Sequence, residues 1–206
     1  MLSILNSALR VSIITWLLCG LMYPFLVNGL GQALFPAQAN GSLIITPAGK
    51  PLGSHLIGQQ WNGAQWFHGR PSATLMTDPS DATKTIAAPY SANNSSGSNL
   101  GPASKTLSDR ITADRQALES AHPELRNRLL PADMLTTSAS GLDPDISPDN
   151  AFLQAPWVAK SRGIPVSQIE DLIQSHIQPP IMDIFGEQRI NVLELNIALE
   201  KRAKEK

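Results

Sequence analysis

Val11 to Leu30 reads VSIITWLLCGLMYPFLVNGL and carries no charged side chain. An α-helix crosses a hydrocarbon core of about 30 Å with about 20 such residues. Inside lipid every backbone N–H and C=O must be satisfied within the segment, so a run of this kind is expected as a helix. Trp16 and Tyr23 fall at different depths along it. Pro24 has no backbone N–H, and Gly20, four residues earlier, leaves room for its ring, so a kink is expected there. The stretch divides the chain into a short leader, residues 1–10, a membrane anchor, residues 11–30, and a tethered polar domain, residues 31–206.

A cleaved signal peptide is the competing reading of the same stretch. Its apolar region would span only about 7–15 residues, shorter than the run seen here. A small-residue cleavage pattern exists at Ala37-Gln38-Ala39, but well beyond the end of the apolar run. Length and spacing therefore favour a retained anchor. Arg10 and the amino terminus precede it, and no Lys or Arg follows until Lys50. Cations remain on the cytoplasmic side, so residues 1–10 are expected in the cytoplasm and residues 31–206 outside it, with a single pass between them.

Beyond the anchor, about 175 residues suffice for one domain. The formal net charge of −1 offers no basic face for nucleic acid. The single cysteine, Cys19, lies in the anchor, which leaves the domain without a disulfide, a metal-thiolate cluster or a thiol nucleophile. Sixteen prolines and fourteen glycines are more than a helical bundle carries, and imply many turns and long connections.

The chain order implies an α+β domain with short strands early and amphipathic helices late. Asn40-Gly41 reads as a tight turn, Leu43–Thr46 as a strand, and 47–51 as the next turn. The apolar pairs Leu56-Ile57 and Trp66-Phe67 suggest that a small sheet occupies residues 43 to 70. Ser, Ala, Asn, Pro and Gly dominate from Asp78 to Ser104, so a flexible surface loop is expected near 78–104. Helical periodicity begins near Ser108 as N-cap, with Ile111, Leu118 and Ala121 on one face and Pro123 ending the run. Met134–Thr136 reads as a strand leading into a turn-rich loop at 138–144. Ser147-Pro148 predicts an N-cap followed by an N1 proline, in a helix that Pro156 is expected to kink or break. Ser167-x-x-Glu170 and Asn191-x-x-Glu194 resemble capping boxes for two further helices. The first stops at Pro179-Pro180, and the second carries an apolar stripe of Val192, Leu195, Leu199 and Ala203. Glu194 and Asn196 read as ordinary polar positions of that last helix.

Few motifs carry chemistry. In His68-Gly69-Arg70-Pro71-Ser72, Arg70 offers a fixed charge beside a titratable His68; a turn whose arginine caps a carboxylate or carbonyls explains the same residues. Ser138-Ala139-Ser140-Gly141-Leu142-Asp143 puts two hydroxyls near a carboxylate, but the strand–turn–helix motif G-x-S-x-G is absent. Ser95–Leu100 lacks the lysine and spacing of a phosphate loop. His55, His68, His122 and His176 have no metal-ligand spacing.

Several of these stretches, in order, resemble the C subunit of the Kdp-type potassium-transporting ATPase of bacteria, the KdpC family. They are the anchor with Tyr23-Pro24, 38–43, 56–59, 66–73, Ser98-Asn99-Leu100, 138–143 and 191–196. The resemblance implies a non-catalytic accessory subunit of a high-affinity, ATP-driven potassium uptake complex in the bacterial inner membrane. Its implied partners are a channel-like potassium-translocating subunit, a P-type ATP-hydrolysing subunit, a small stabilising subunit and membrane lipid. The family is described as a catalytic chaperone that raises the ATP affinity of the pump subunit. The chain is expected to hold no cofactor of its own, with ATP, magnesium and potassium handled by the complex, and the Asp-Lys-Thr-Gly phosphorylation motif of P-type pumps is missing. Two positions depart from the usual pattern: Ser96 stands where many relatives have the first of two glycines, and Trp157 where many have arginine. No residue is expected to be catalytic. His68, Arg70, Ser72, Asn99 and Asp143 are candidate interface or cap positions, and Trp16, Gly20, Tyr23 and Pro24 belong to the anchor. The alternative is a membrane-anchored periplasmic hydrolase using Ser138 or Ser140 with His68, or an anchored ligand-binding module.

Overall fold

The computed structural model describes residues 1–204, with side chains through Arg202. The chain divides into two compact units, Met1–Ser54 and the remainder from His55.

In the first unit, helical structure runs from Leu2 to Leu34, longer at both ends than the apolar run alone. It consists of α1 (Leu2–Leu17), one π-helical turn (Leu18–Met22) and α2 (Tyr23–Leu34). The wide turn closes with the Tyr23 N–H on the Leu18 carbonyl, immediately before Pro24. The proline cannot donate to the preceding turn, so the hydrogen-bond register is relaxed where its missing N–H would leave a gap. Trp16 lies over Gly20, with the indole 3.8 Å from where a Cβ would stand. The short α3 (Pro36–Ala39) follows, and Asn40 ties back to Gln32 at 3.0 Å and to the Pro36 carbonyl at 2.7 Å. Gly41 and Ser42 turn the chain in the left-handed region into a hairpin of β1 (Leu43–Ile45) and β2 (Pro51–Ser54). Of the sheet expected over 43–70, the structure has this two-stranded hairpin and a single bridge residue at Ile57. Trp66 and Phe67 are not in a strand: the Trp66 N–H bonds to the Gly63 carbonyl at 3.3 Å, and side-chain amide groups described below serve Phe67.

In the second unit, β3 (Leu75–Asp78) and β4 (Asp81–Ala87) form an antiparallel hairpin. The expected loop near 78–104 is thus a strand over 81–87. Thr83 and Thr85 supply β-branched residues, and Asp78 and Asp81 each accept from the backbone two residues on, which builds the turn. The next helix, α4 (Lys105–Ala121), starts a turn before Ser108, with Ser104 at the N-cap. Ile111 and Leu118 are half-buried, whereas Ala121 is exposed. Ala132–Met134 is a 3-10 turn, not a strand. The short β5 (Asp145–Ile146) pairs with β6 (Ile190–Asn191).

Three helices, α5 (Pro148–Arg162), α6 (Val166–His176) and α7 (Val192–Lys204), enclose the core with Phe67, Leu125, Ile146 and Ile190. Ser147 caps α5 as expected, its hydroxyl accepting from the Asn150 N–H at 3.2 Å. The helix continues through Pro156, which faces solvent, so water can serve the carbonyl that the ring leaves free. Gly163 ends it in the left-handed conformation. At α6 the expected capping box is not formed: Pro165 occupies the N-cap and Ser167 is already inside the first turn. At α7 half of the box forms. Asn191 accepts from the Glu194 N–H at 3.1 Å, but the Glu194 carboxylate pairs with His55 instead of turning back. Val192, Leu195 and Leu199 are buried; the side chain of Ala203 lies outside the described residues.

Candidate functional site

After a single bridge residue at Ile57 and a bond from the Gly58 N–H to the Leu142 carbonyl at 2.8 Å, the segment from Gln59 to Arg70 runs on without a strand, so its buried backbone groups need partners from elsewhere. Side-chain amides supply them. Asn196 on α7 accepts from the Phe67 N–H and donates to the Phe67 carbonyl, both at 2.9 Å. Gln154 on α5 does the same for His68, at 2.8 and 2.9 Å. Asn191 donates to the His55 carbonyl at 2.9 Å. Asn196 is therefore fully buried in the stripe of Val192 and Leu199, and not at the ordinary polar position that its residue type suggested. Gln154 also bonds Asn150, which bonds Asp133, whose carboxylate accepts from both the amide and the hydroxyl of Ser147.

This anchoring presents residues 68–72 to the turn at 138–143. Arg70 donates to the Asp143 carboxylate at 3.0 Å and reaches the Thr136 and Thr137 carbonyls at 3.4 Å. Ser72 donates to the Gly141 carbonyl at 2.7 Å and accepts from the Tyr90 N–H at 2.9 Å. Asp143 also accepts from the Asp145 N–H at 3.1 Å. Three of the five candidate positions, Arg70, Ser72 and Asp143, thus meet in one seam. His68 adjoins it through the backbone, and burial lowers its pKa, partly offset by a hydrogen bond to the Gly63 carbonyl. Asn99 is exposed and left-handed on the loop that flanks the turn.

Tyr90 is the residue that the sequence did not single out. Its phenol donates to the Arg70 carbonyl at 2.8 Å and its backbone is left-handed at φ 60°. The ring lies between two glycines. A Cβ on Gly58 would stand 2.4 Å from the ring, and one on Gly69 would stand 2.3 Å from the hydroxyl. Burial, reinforced by the Asp143 charge and opposed by Arg70, raises the phenol to about 12. A lone aromatic in a stretch otherwise made of Ser, Ala, Asn and Pro was the available clue. The loop beyond it is packed as well. Ser95 donates to the Ser140 carbonyl at 3.0 Å, and a Cβ on Gly97 would be 2.7 Å from the Ala139 carbonyl.

The hydroxyls of Ser138 and Ser140 accept from the Gly141 and Leu142 amides at 2.9 and 3.1 Å. They shape the turn, and among the described residues neither has a histidine as hydrogen-bond partner. Beside the seam lies a cleft of about 640 Å³ lined by Arg70, Asp133, Asp143, Asp145, Glu187 and Arg189, among others. Three of its carboxylates are engaged: Asp143 with Arg70, Asp145 with Arg189 at 3.2 Å, and Asp133 with Ser147 and Asn150. Burial and the nearby Asp143 raise the Asp145 pKa against the pull of Arg189. Among the described residues no three His, Cys, Asp or Glu side chains are placed to hold a metal ion. At Trp157 the indole is buried and stacks on His122 with ring centres 4.0 Å apart.

Comparison with known proteins agrees with the resemblance read from the sequence. Residues 5–201 match the family model described as "KdpC: K+-transporting ATPase, c chain". A potassium-transporting ATPase KdpC subunit of Rhodopseudomonas palustris is 51% identical over 197 residues, 96% of this chain and 94% of that protein. The KdpC subunit of Bradyrhizobium diazoefficiens is 49% identical over 203 residues, covering 98% and 99% of the two chains. That of Methylobacterium nodulans is 48% identical over 203 residues, again covering 98% and 99%.

Proposed function

Because the chain belongs to the KdpC family of potassium-transporting ATPase subunits, we propose that it acts as a non-catalytic accessory subunit that stabilises the complex and raises the ATP affinity of its pump subunit from the other side of the membrane. The partners are a channel-like potassium-translocating subunit, an ATP-hydrolysing P-type subunit and a small stabilising subunit. ATP, magnesium and potassium are handled by those chains, and this one carries no cofactor of its own.

The observation that carries this reading is how the polar groups of the candidate seam are used. Arg70, Ser72, Asp143, Ser138 and Ser140 are committed to one another and to nearby backbone groups. Such a seam is a scaffold that fixes loop positions, which suits a subunit acting through its neighbours. The apolar N-terminal helix holds it beside them. With Arg10 on the cytoplasmic side, the head is extracytoplasmic and rests over the external potassium entrance. It then has no access to cytoplasmic ATP, so its effect on nucleotide affinity is a coupling transmitted through the anchor and the partner subunits. Such coupling is reciprocal: nucleotide binding to the pump tightens this chain's attachment by the same factor.

The test is to purify the ATPase with and without this chain and measure nucleotide affinity, while full-length chain alone in detergent is titrated with ATP. The reading requires weaker ATP binding by the depleted complex and no saturable ATP binding by the isolated chain. A competable micromolar ATP site on the isolated chain would overturn it, as would normal potassium-stimulated turnover by a depleted complex that stays assembled. A membrane-impermeant thiol reagent reacting with a cysteine placed at Gln116 only after the cytoplasmic face is exposed would overturn the orientation.

A further inference from the structure

Between α6 and β6 the chain builds a narrow finger that the core does not use. At its base Gln178 and Arg189 exchange two backbone hydrogen bonds, at 2.8 and 3.1 Å. Nearer the tip Ile181 and Phe185 exchange two more, at 2.9 and 3.0 Å. Met182 and Asp183 close the tip with φ of 56° and 57°, a pair of left-handed residues that costs conformational energy when a Cβ is present. Yet the side chains on this well-defined element point to solvent. Ile181, Met182, Ile184 and Phe185 are 62%, 81%, 75% and 64% exposed. Single exposed apolar residues are ordinary on a protein surface, but four within five positions on a shaped element mark an interaction site.

Charge, size and tethering identify what the finger meets. From Gln178 to Arg189 the charged residues are Asp183, Glu187 and Arg189, and Arg189 is held by Asp145 at 3.2 Å. The tip is therefore acidic. Anionic lipid headgroups repel such a tip, and elements that enter a bilayer surface carry Lys or Arg beside their apolar residues. Four side chains are also far too little to hold a second free copy, since stable interfaces between free proteins bury roughly 1,200–2,000 Å². A small contact is sufficient when both partners are already confined together, because the tether makes docking an intramolecular step. The finger's backbone is ordered in advance, so docking forfeits little conformational entropy.

Resting on the reading of this chain as a membrane-tethered ATPase subunit, we infer that residues 179–187 form a docking finger. It inserts Ile184 and Phe185 into an apolar recess on another chain of the same potassium-transporting ATPase, with Lys or Arg on the recess rim facing Asp183.

The experiment uses the full chain expressed with the rest of the ATPase. Phe185 is replaced by the photo-crosslinker benzoylphenylalanine, with Gln116 on the exposed side of α4 as control position. In parallel an Ile184→Ser/Phe185→Ser variant is purified through a tag on this chain, and its thermal unfolding is measured. The finger predicts a crosslink from position 185 to a larger ATPase chain, well above the control. It also predicts an about tenfold loss of co-purified chains in the double variant, as for a pair of anchor residues, with the unfolding temperature of the head unchanged. Crosslinks that go mainly to lipid, to a second copy of this chain or nowhere would overturn the finger, as would undiminished co-purification by the double variant. If the wild-type chain itself brings down no other ATPase chain, the subunit reading fails first and the finger with it.

Discussion

Replacing Gly69 by alanine tests whether Tyr90 is the wedge that locks the seam. The new Cβ would stand 2.3 Å from the Tyr90 hydroxyl and 3.3 Å from the ring carbon that bears it. The hydroxyl cannot simply retreat, because it donates to the Arg70 carbonyl at 2.8 Å and Gly58 closes the other side of the ring. Gly69 is not in the left-handed region, so the cost is steric and not conformational. Overpacking of this kind destabilises by about 1–3 kcal/mol. Tyr90→Phe alone leaves the Arg70 carbonyl without its donor, for about 1–3 kcal/mol. In the double variant the clashing oxygen is gone, and the closest remaining contact at 3.3 Å is relieved by a shift of a few tenths of an ångström. The two costs therefore should not add: the double variant is expected close to Tyr90→Phe, with a coupling of about 1–2 kcal/mol in favour of the pair. Thermal unfolding of the full chain in detergent, followed by tryptophan fluorescence, reads this directly. A cost of 2 kcal/mol lowers Tm by about 4–8 °C for a domain of this size. Strict additivity, or a Gly69→Ala protein that unfolds with the wild type, would refute the wedge.

Three further outcomes follow from the same geometry. Arg70→Lys should destabilise the head by about 1–2 kcal/mol, because one ammonium cannot serve Asp143 and two carbonyls as the guanidinium fork does, a figure kept small by partial exposure; unfolding within 0.5 kcal/mol of wild type would count against the fork. Raising the pH from 10 to 12 should cost about 2 kcal/mol through Tyr90, whose folded phenol stays protonated to about 12 while the unfolded one ionises near 10. The unfolded state then binds fewer protons, so stability falls as pH rises, and a Tyr90→Phe curve that parallels wild type across that window would exclude the effect. Ser96→Ala should stabilise by about 1 kcal/mol, since the Ser96 hydroxyl is buried without a hydrogen-bond partner among the described residues; a loss of stability in urea unfolding would reveal an unrecognised role for that oxygen.

What could be read from the sequence depended on how local the governing physics was. The N-terminal helix was legible because an uncharged run of that length has one regular way to satisfy its own backbone, although the helix extends to Leu2 and Leu34 and meets Pro24 with a π turn. Ser147-Pro148, Pro123 and Pro179-Pro180 mark helix ends through their own backbone chemistry, and the structure has helix boundaries at each. Ser167 misled because a capping pattern describes spacing only, and Pro165 already held the N-cap conformation two residues earlier. Residues 81–87 were hidden by small polar residues whose strand character comes from pairing with 75–78. In the seam, His68–Ser72 and 138–143 each stood out alone. Their meeting depends on contacts across some 70 residues, and no periodicity reports those. Tyr90, which joins them, carries no motif at all.

The buried amides explain why such an irregular head can still hold a defined surface. Residue type alone would put Gln154 and Asn196 in solvent, yet their helical positions face the core, and both are buried and bonded to both polar groups of a single backbone residue. A strand would obtain these bonds from a neighbouring strand; here a helix side chain imitates one rung of a ladder. That arrangement frees the chain from Gln59 to Arg70 to follow the core without a strand, but it tolerates little change, because each lost amide strands two buried backbone groups at about 1–3 kcal/mol apiece. A head stabilised in this way is rigid where its amides clamp it. The rigidity extends to Asn191, the last residue of β6, which fixes the His55 carbonyl and caps α7. The finger at 179–187 closes onto Arg189, immediately before that strand, so it stands on one of the best-held points of the fold. Apolar side chains presented from such a base keep their geometry while exposed, which is what docking on a partner requires.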